Sequence, residues 1–257
     1  LAPSEAALAR VEGREFESGA ALLARILAER RAQWERANPG KRYVEPKGVD
    51  ADGLADLREG WVSVRVEQIA EQRLGKMLDK VKNKGELRPY LRNINVRWFG
   101  FDLSDIQEMR VMEREIDDVS VREGDLIVCE GGEPGRAAIW SHPSESPIIQ
   151  KALHRVRPFE GVSPWYLAYR LAADANSGEL ERYFTGSTIK HFTGQSLRSY
   201  VFTLPPTAEQ HRIVAEVERR LSVAQEVEGI VAAGLRRAER LRQSILKRAF
   251  AGRLVGT

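Results

Sequence analysis

The 257 residues are 42% hydrophobic and 30% charged, a balance that excludes a disordered chain and suffices for a buried core. Forty Lys and Arg against 37 Asp and Glu leave a net charge of only +3, so total charge does not by itself announce a nucleic-acid partner. The single cysteine, Cys129, excludes an internal disulfide and a Cys-rich metal site.

From the N-terminus, Leu22, Leu23, Ile26, Leu27 and Trp34 recur at helical spacing behind a capping Ser18, which predicts an amphipathic helix over residues 18–37. Asn38-Pro39-Gly40 stops it, and the polar stretch to Gly60 reads as a linker. Between residues 61 and 204, short runs rich in β-branched and aromatic residues (61–66, 125–129, 137–140 and 200–204) alternate with Gly and Pro turns. Helical texture interrupts them at 163–173, and Cys129 falls in an apolar run as a buried strand residue. The expectation is a compact mixed α/β domain of the α+β class. After Pro205-Pro206, Thr207-Ala208-Glu209-Gln210 has the form of a capping box. Apolar or small residues then follow at Val214, Val217, Leu221, Ala224, Val227, Val231, Gly234, Ala238, Leu241 and Ile245, in steps of three and four with one early break in phase. This heptad seam predicts a coiled-coil helix from Ala208 to about Ala251, on the order of 65 Å long. Such a rod needs a partner helix, from its own chain or another copy; Gly229 and Gly234 also permit a hairpin. Three segments result: 1–60, an N-terminal helix and linker; 61–204, a globular domain; and 205–257, a long spacer helix.

No apolar run is long enough to cross a bilayer and the first residues lack a secretory signal, which predicts a cytoplasmic protein without membrane contact. A chain that opens on Leu1 rather than Met reads as a fragment or a processed piece.

Catalytic motifs are missing. Gly131-Gly132-Glu133-Pro134-Gly135-Arg136 follows a strand but lacks the Gly-Lys-Ser/Thr of a phosphate loop and the spacing of a dinucleotide turn, so it reads as a tight connection. His142, His154, His191 and His211 have neither metalloprotease spacing nor companion cysteines. No Ser sits in a Gly-x-Ser-x-Gly elbow. Leu204-Pro205-Pro206-Thr207 lacks both the amide or acid and the aromatic of the amino-methyltransferase motif. A non-enzymatic chain, with no cofactor and no metal, is expected.

Recognition chemistry is better represented. Arg73, Lys76, Lys80, Lys82, Lys84, Arg88, Arg92 and Arg97 crowd one stretch, whereas 102–125 is largely acidic; the basic run suits a phosphate backbone, and equally a solvated face. Arg88-Pro89-Tyr90-Leu91-Arg92-Asn93-Ile94-Asn95-Val96-Arg97 interleaves apolar anchors with Arg and Asn, which pair with guanine and adenine edges. Asn93 and Asn95 can equally satisfy backbone turns. A second polar group spans 186–195, and Lys151, His154 and Arg155 form a third; solvated loops or strands explain either one taken alone.

In order and spacing, Glu59-Gly60-Trp61-Val62-Ser63-Val64-Arg65-Val66, Pro89 to Val96, Gly124-Asp125-Leu126-Ile127-Val128, Gly186-Ser187-Thr188 and Leu204 to Gln210 resemble the specificity subunit (HsdS) of type I restriction-modification systems. The resemblance implies a target-recognition domain over 61–204 and a spacer helix after it. It also implies duplex DNA as ligand, and methyltransferase (modification) subunits and restriction subunits as partners that supply the chemistry. A full subunit of that family carries two recognition domains, so this chain resembles its C-terminal half, or a half-subunit that pairs with itself. The candidate DNA-binding residues are Arg73, Lys76, Arg88, Tyr90, Arg92, Asn93, Asn95, Arg97, Arg136, Lys151, His154, Thr188, Lys190 and His191. The helix-pairing candidates are Val214, Val217, Leu221, Val231, Leu241 and Ile245. A coiled-coil assembly scaffold and the recognition portion of a single-chain restriction enzyme are the rival readings.

Overall fold

The computed structural model describes residues 3–50 and 57–253; residues 51–56 of the expected linker, and the chain beyond 253, lie outside the described residues. Helices α1 (Glu5–Glu12) and α2 (Gly19–Ala37) come first, followed by β1 (Val62–Arg65), the short α3 (Val66–Ile69) and β2 (Ala70–Leu74). Strands β3 (Glu86–Leu91), β4 (Val96–Arg97), β5 (Gly100–Phe101) and β6 (Gln107–Val111) lead to α4 (Glu113–Val119). Next come β7 (Leu126–Cys129), β8 (Ala137–Ile139), β9 (Ile148–Ile149) and β10 (Leu153–Pro158). Finally α5 (Pro164–Ser177), α6 (Gly194–Ser199) and β11 (Val201–Leu204) precede the long α7 (Thr207–Phe250). The architecture is mixed α/β, and the chain divides into two compact units, Leu1–His211 and Arg212–Thr257.

The strands form a four-stranded sheet in the order β2-β10-β7-β8, a three-stranded sheet β6-β3-β9 and two pairs, β1-β11 and β4-β5. Strand β7 has a neighbour on each side, and its four residues Leu126, Ile127, Val128 and Cys129 are all buried. A strand covered on both faces has no polar face to alternate with, which is why this run is continuously apolar. Each fully buried aliphatic side chain of this kind stabilises by about 1.5–3 kcal/mol. Burial also pushes the Cys129 thiol up to about 11, so it sits in the core as an unreactive thiol.

Strands β1 and β11 pair antiparallel, Val62 opposite Leu204, and so bring the two ends of the globular segment together. Helix α2 begins against that junction. The Ser18 hydroxyl accepts the Ala21 N–H at 3.1 Å, as the cap predicts, while the Gly19 N–H donates to the Gly60 carbonyl at 2.7 Å. A Cβ on Gly19 would lie 2.3 Å from the Leu204 oxygen, so only glycine lets the helix start approach this closely. Leu22 and Ile26 are buried in α2, and the following stretch turns back so that the Tyr43 ring lies 5.4 Å from that of Trp34.

The capping box expected at Thr207 does not form. The Thr207 hydroxyl donates to the Gly161 carbonyl at 2.8 Å, and the fully buried Gln210 amide donates to Gly161 and Pro205 carbonyls while accepting the Ser163 N–H. Both side chains therefore tie the start of α7 to the loop before α5. A buried amide with four hydrogen-bonding sites gains more from those long-range partners than from one local donor. Helix α1, which the sequence pattern did not disclose, is held at the same place: the Glu5 N–H donates to Glu209 Oε2 at 3.0 Å.

The second unit is helical through Phe250, and Leu221, Val227, Val231, Leu241 and Ile245 are each at least 44% exposed. Val214 and Val217 are half-buried. No helix among the described residues is long and apolar enough to cross a membrane.

Candidate nucleic-acid interface

Half of the basic run from Arg73 to Arg97 pairs with the acidic segment that follows it, while Lys80, Lys82 and Lys84 stay exposed. Lys76 Nζ lies 2.6 Å from Glu115, Arg92 2.6 Å from Asp105, Arg97 3.3 Å from Asp102, and Arg73 3.6 Å from Asp118. Arg88 pairs with Glu86 at 3.1 Å, and Arg136 with Glu133 at 2.8 Å. The more exposed of these pairs contribute little, about 0–1 kcal/mol each, and their arginines can still exchange a carboxylate for a phosphate. Lys76 and Arg92 are three-quarters buried or more and are committed to the fold.

Three candidates lie inside it. Tyr90 is 2% exposed, and its hydroxyl donates to Gln107. Asn95 is 1% exposed; its amide accepts the Arg92 N–H and donates to the Asp102 and Asp105 carbonyls, so it builds the 3-10 turn Asn93–Asn95. His154, on β10, is fully buried.

Other candidates converge. Asn93 from that turn, Lys151 from the tight turn before β10, and His191 from the loop before α6 line one concavity of about 560 Å3, with Glu130, Gly131 and Gln150 beside them. The Asn93 amide is oriented by donation to the Gly131 carbonyl at 2.9 Å, and Arg136 supports the same turn by donating to the Asn93 carbonyl at 2.9 Å. Lys151 and Lys190 are both exposed. Thr188, Ile189 and Lys190 are exposed at the tip of a loop whose neck is closed by the mutual backbone hydrogen bonds of Thr185 and His191, each 2.9 Å.

Beside that neck lies a second concavity, of about 400 Å3, where Lys47, Arg65 and Arg198 outnumber the one acid, Glu67, among the hydroxyls of Thr185, Ser196 and Ser199. Sequence reasoning passed over these cations. They are up to 151 positions apart in sequence (47 to 198), and only the fold gathers them.

A chain of polar groups connects the two concavities beneath the neck. Arg198 donates to Gln72 Oε1 at 3.2 Å, which turns the Gln72 amide nitrogen toward His154 Nδ1 at 2.8 Å. His154 Nδ1 is therefore the acceptor, and the ring proton sits on Nε2, 3.2 Å from Glu130 Oε2, in contact although not aligned as a good hydrogen bond. Burial is the main cause that lowers the His154 pKa from 6.5 to about 4, so the ring is neutral at pH 7. The unfolded chain takes up this proton near pH 6.5 and the folded chain only near 4, so stability is present above 6.5 and is lost as pH falls through that window, by about 3 kcal/mol from this group. Denaturant unfolding at pH 7 and pH 4 measures it. His154→Gln is expected to flatten the dependence, and an equal slope in both proteins would assign it to other groups.

Comparison with known proteins adds to this geometry. A family model described as the type I restriction modification DNA specificity domain matches residues 58–220. The specificity subunit of the type I restriction enzyme EcoKI of Escherichia coli (strain K12) is 28% identical over 196 residues, which is 73% of this chain and 42% of that protein. The specificity subunit of the Escherichia coli enzyme EcoBI is 30% identical over 155 residues, 58% of this chain and 32% of that protein. This chain thus spans less than half the length of either relative. A solved chain from work on complex assembly and conformational transition of the type I R-M system has a TM-score of 0.63 at 21% identity, covering 97% of this chain and 57% of that one, and it shows the same fold.

Proposed function

This chain belongs to the type I restriction modification DNA specificity domain family, and from that membership we propose that residues 61–204 read one part of a split duplex DNA sequence for a type I restriction-modification complex. The observation that carries the reading is the convergence of Asn93, Lys151 and His191, from three separated segments, on one concavity beside the exposed 188–190 loop tip. Asn and His side chains are suited to base edges, and Lys151 and Lys190 to the phosphates that set register. Lys47, Arg65 and Arg198 supply a second backbone contact beside the loop neck. Arg73, Arg88 and Arg97 add exposed cations once their carboxylates are exchanged for phosphate. The buried Tyr90, Asn95 and His154 act by holding the reader in shape.

In this reading the chain performs no bond chemistry. Modification subunits methylate adenine, restriction subunits translocate and cleave, and the chain tells them where. The exposed apolar side chains of α7, including Val231, Leu241 and Ile245, form a seam for a second helix, from the other half of a longer subunit or from another copy.

Replacing residues 61–204 by the corresponding segment of a differently specific relative tests the proposal. Methylome sequencing of cells carrying the intact system is expected to show one half of a split adenine-methylated motif changed and the other half kept. A motif unchanged in both halves would overturn the assignment.

A further inference from the structure

Glu130 is the acid among the residues that line the same concavity as Asn93, Lys151 and His191, and its side chain is 20% exposed. An ionised carboxylate accepts hydrogen bonds and cannot donate them, and it repels phosphate. What it attracts on a duplex is an amino group, and in the major groove such donors are the exocyclic amines of cytosine and adenine.

The group is also held. The Glu130 N–H donates to the Ala152 carbonyl at 2.9 Å, and its own carbonyl accepts the Phe192 N–H at 2.7 Å. Ala152 has φ of 92°, left-handed backbone that a residue with a Cβ rarely adopts, and it lines the concavity too. Next in sequence, Gly131 packs so closely on the His191 ring that a Cβ would lie 3.3 Å from Nδ1. Behind the carboxylate, the neutral His154 presents Nε2 at 3.2 Å and is itself fixed through Gln72 by Arg198. One carboxylate oxygen, Oε2, meets that ring. A rigid acceptor at the rim of a recognition surface reads a base with less entropy to lose on binding.

Resting on the reading of residues 61–204 as a DNA reader, we infer that Glu130 is a specificity-determining residue, its carboxylate accepting a hydrogen bond from the exocyclic amine of a cytosine or adenine in the target. His154 is the positioning residue behind it.

Selection from a randomised duplex library by the full chain, assembled with its modification subunits, tests this. Wild-type protein is expected to enrich a motif in which one position demands an amine-bearing base. In Glu130→Gln the carbonyl end keeps the contact with His154 while a donor replaces an acceptor at the rim, so the preference at that position is expected to fall by about tenfold or more. Glu130→Asp keeps the charge and should keep the same base with weaker preference, which covers the case of a poorly folding Gln variant. Lys151→Gln is expected to weaken all duplexes alike and to lower the salt dependence by about one unit of slope. Cytosine and adenine are told apart by which base the wild type enriches. An E130Q protein that selects the same bases as strongly, or loses affinity for all sequences equally, overturns the role of Glu130. A wild type that enriches no motif overturns the DNA-reading proposal itself.

Discussion

Replacing Asp125 with alanine is expected to cost the first unit about 3 kcal/mol of stability, because a buried carboxylate and its hydrogen bonds are lost while the partly exposed Arg157 keeps access to water. Asp125 is 1% exposed and immediately precedes β7. Its two oxygens accept Arg157 Nε at 2.7 Å and Arg157 Nη2 at 2.8 Å, and one of them also accepts the Arg122 N–H at 2.7 Å. The same side chain therefore closes the turn before β7 and bolts β7 to β10, where Val156 stands opposite Leu126. The Arg157 guanidinium donates these hydrogen bonds, which raise its pKa; without Asp125 that rise is lost, but an arginine keeps its charge at neutral pH and would be left without this partner. For a unit of this size the loss corresponds to a melting temperature lower by about 10 °C. Asp125→Asn, which keeps the shape and part of the hydrogen bonding, should fall between. Thermal and urea unfolding of the three proteins read the result. A loss below about 1 kcal/mol in the alanine variant would mean that the Asp125 carboxylate does not lock the sheet.

The second large effect concerns association. Val231 and Leu241 are 54% and 60% exposed on α7, and a partner helix would cover them. With aspartate at both positions, each of two paired copies would strand two carboxylates in an apolar seam, at a combined cost of about 4 kcal/mol or more, roughly a thousandfold in the association constant. Sedimentation equilibrium of the chain is expected to show pairs of copies for the wild type and single chains for Val231→Asp with Leu241→Asp, with the helical circular dichroism of the first unit kept. Wild-type protein that sediments as single chains at micromolar concentration would rule out pairing between copies and direct the search for the seam's partner to the rest of a longer subunit.

The expected Asn93 and Asn95 show why local chemistry reads ambiguously. Both lie in one three-residue turn, yet Asn95 saturates its amide on Arg92, Asp102 and Asp105 while Asn93 reaches the rim of the concavity. Nothing within the segment distinguishes them, because the partners of Asn95 include residues up to ten positions away and those of Asn93 include Gly131. The basic run is a similar case: its charges were visible, but the folding of 102–118 onto it was not, and that pairing decides which cations remain for phosphate. Glu130 carried no sequence signal at all, since a lone acid after a strand is ordinary. It gains meaning from His154 behind it and Lys151 beside it.

By itself the sequence determined whatever depends on near neighbours along the chain. The Ser18 cap, the continuously apolar β7 and the uninterrupted α7 follow from hydrogen bonds and burial patterns that repeat over three or four residues, so a linear reading finds them. The motif order that marks the family is likewise a linear property. Tertiary structure alone decided the capture of Gln210 by the loop before α5, the neutralisation of Arg92 and Lys76, and the line Arg198–Gln72–His154–Glu130. The reason is physical: a buried polar group or an ion pair takes its energy from whichever partner the fold brings within about 3 Å, and sequence distance does not enter that sum.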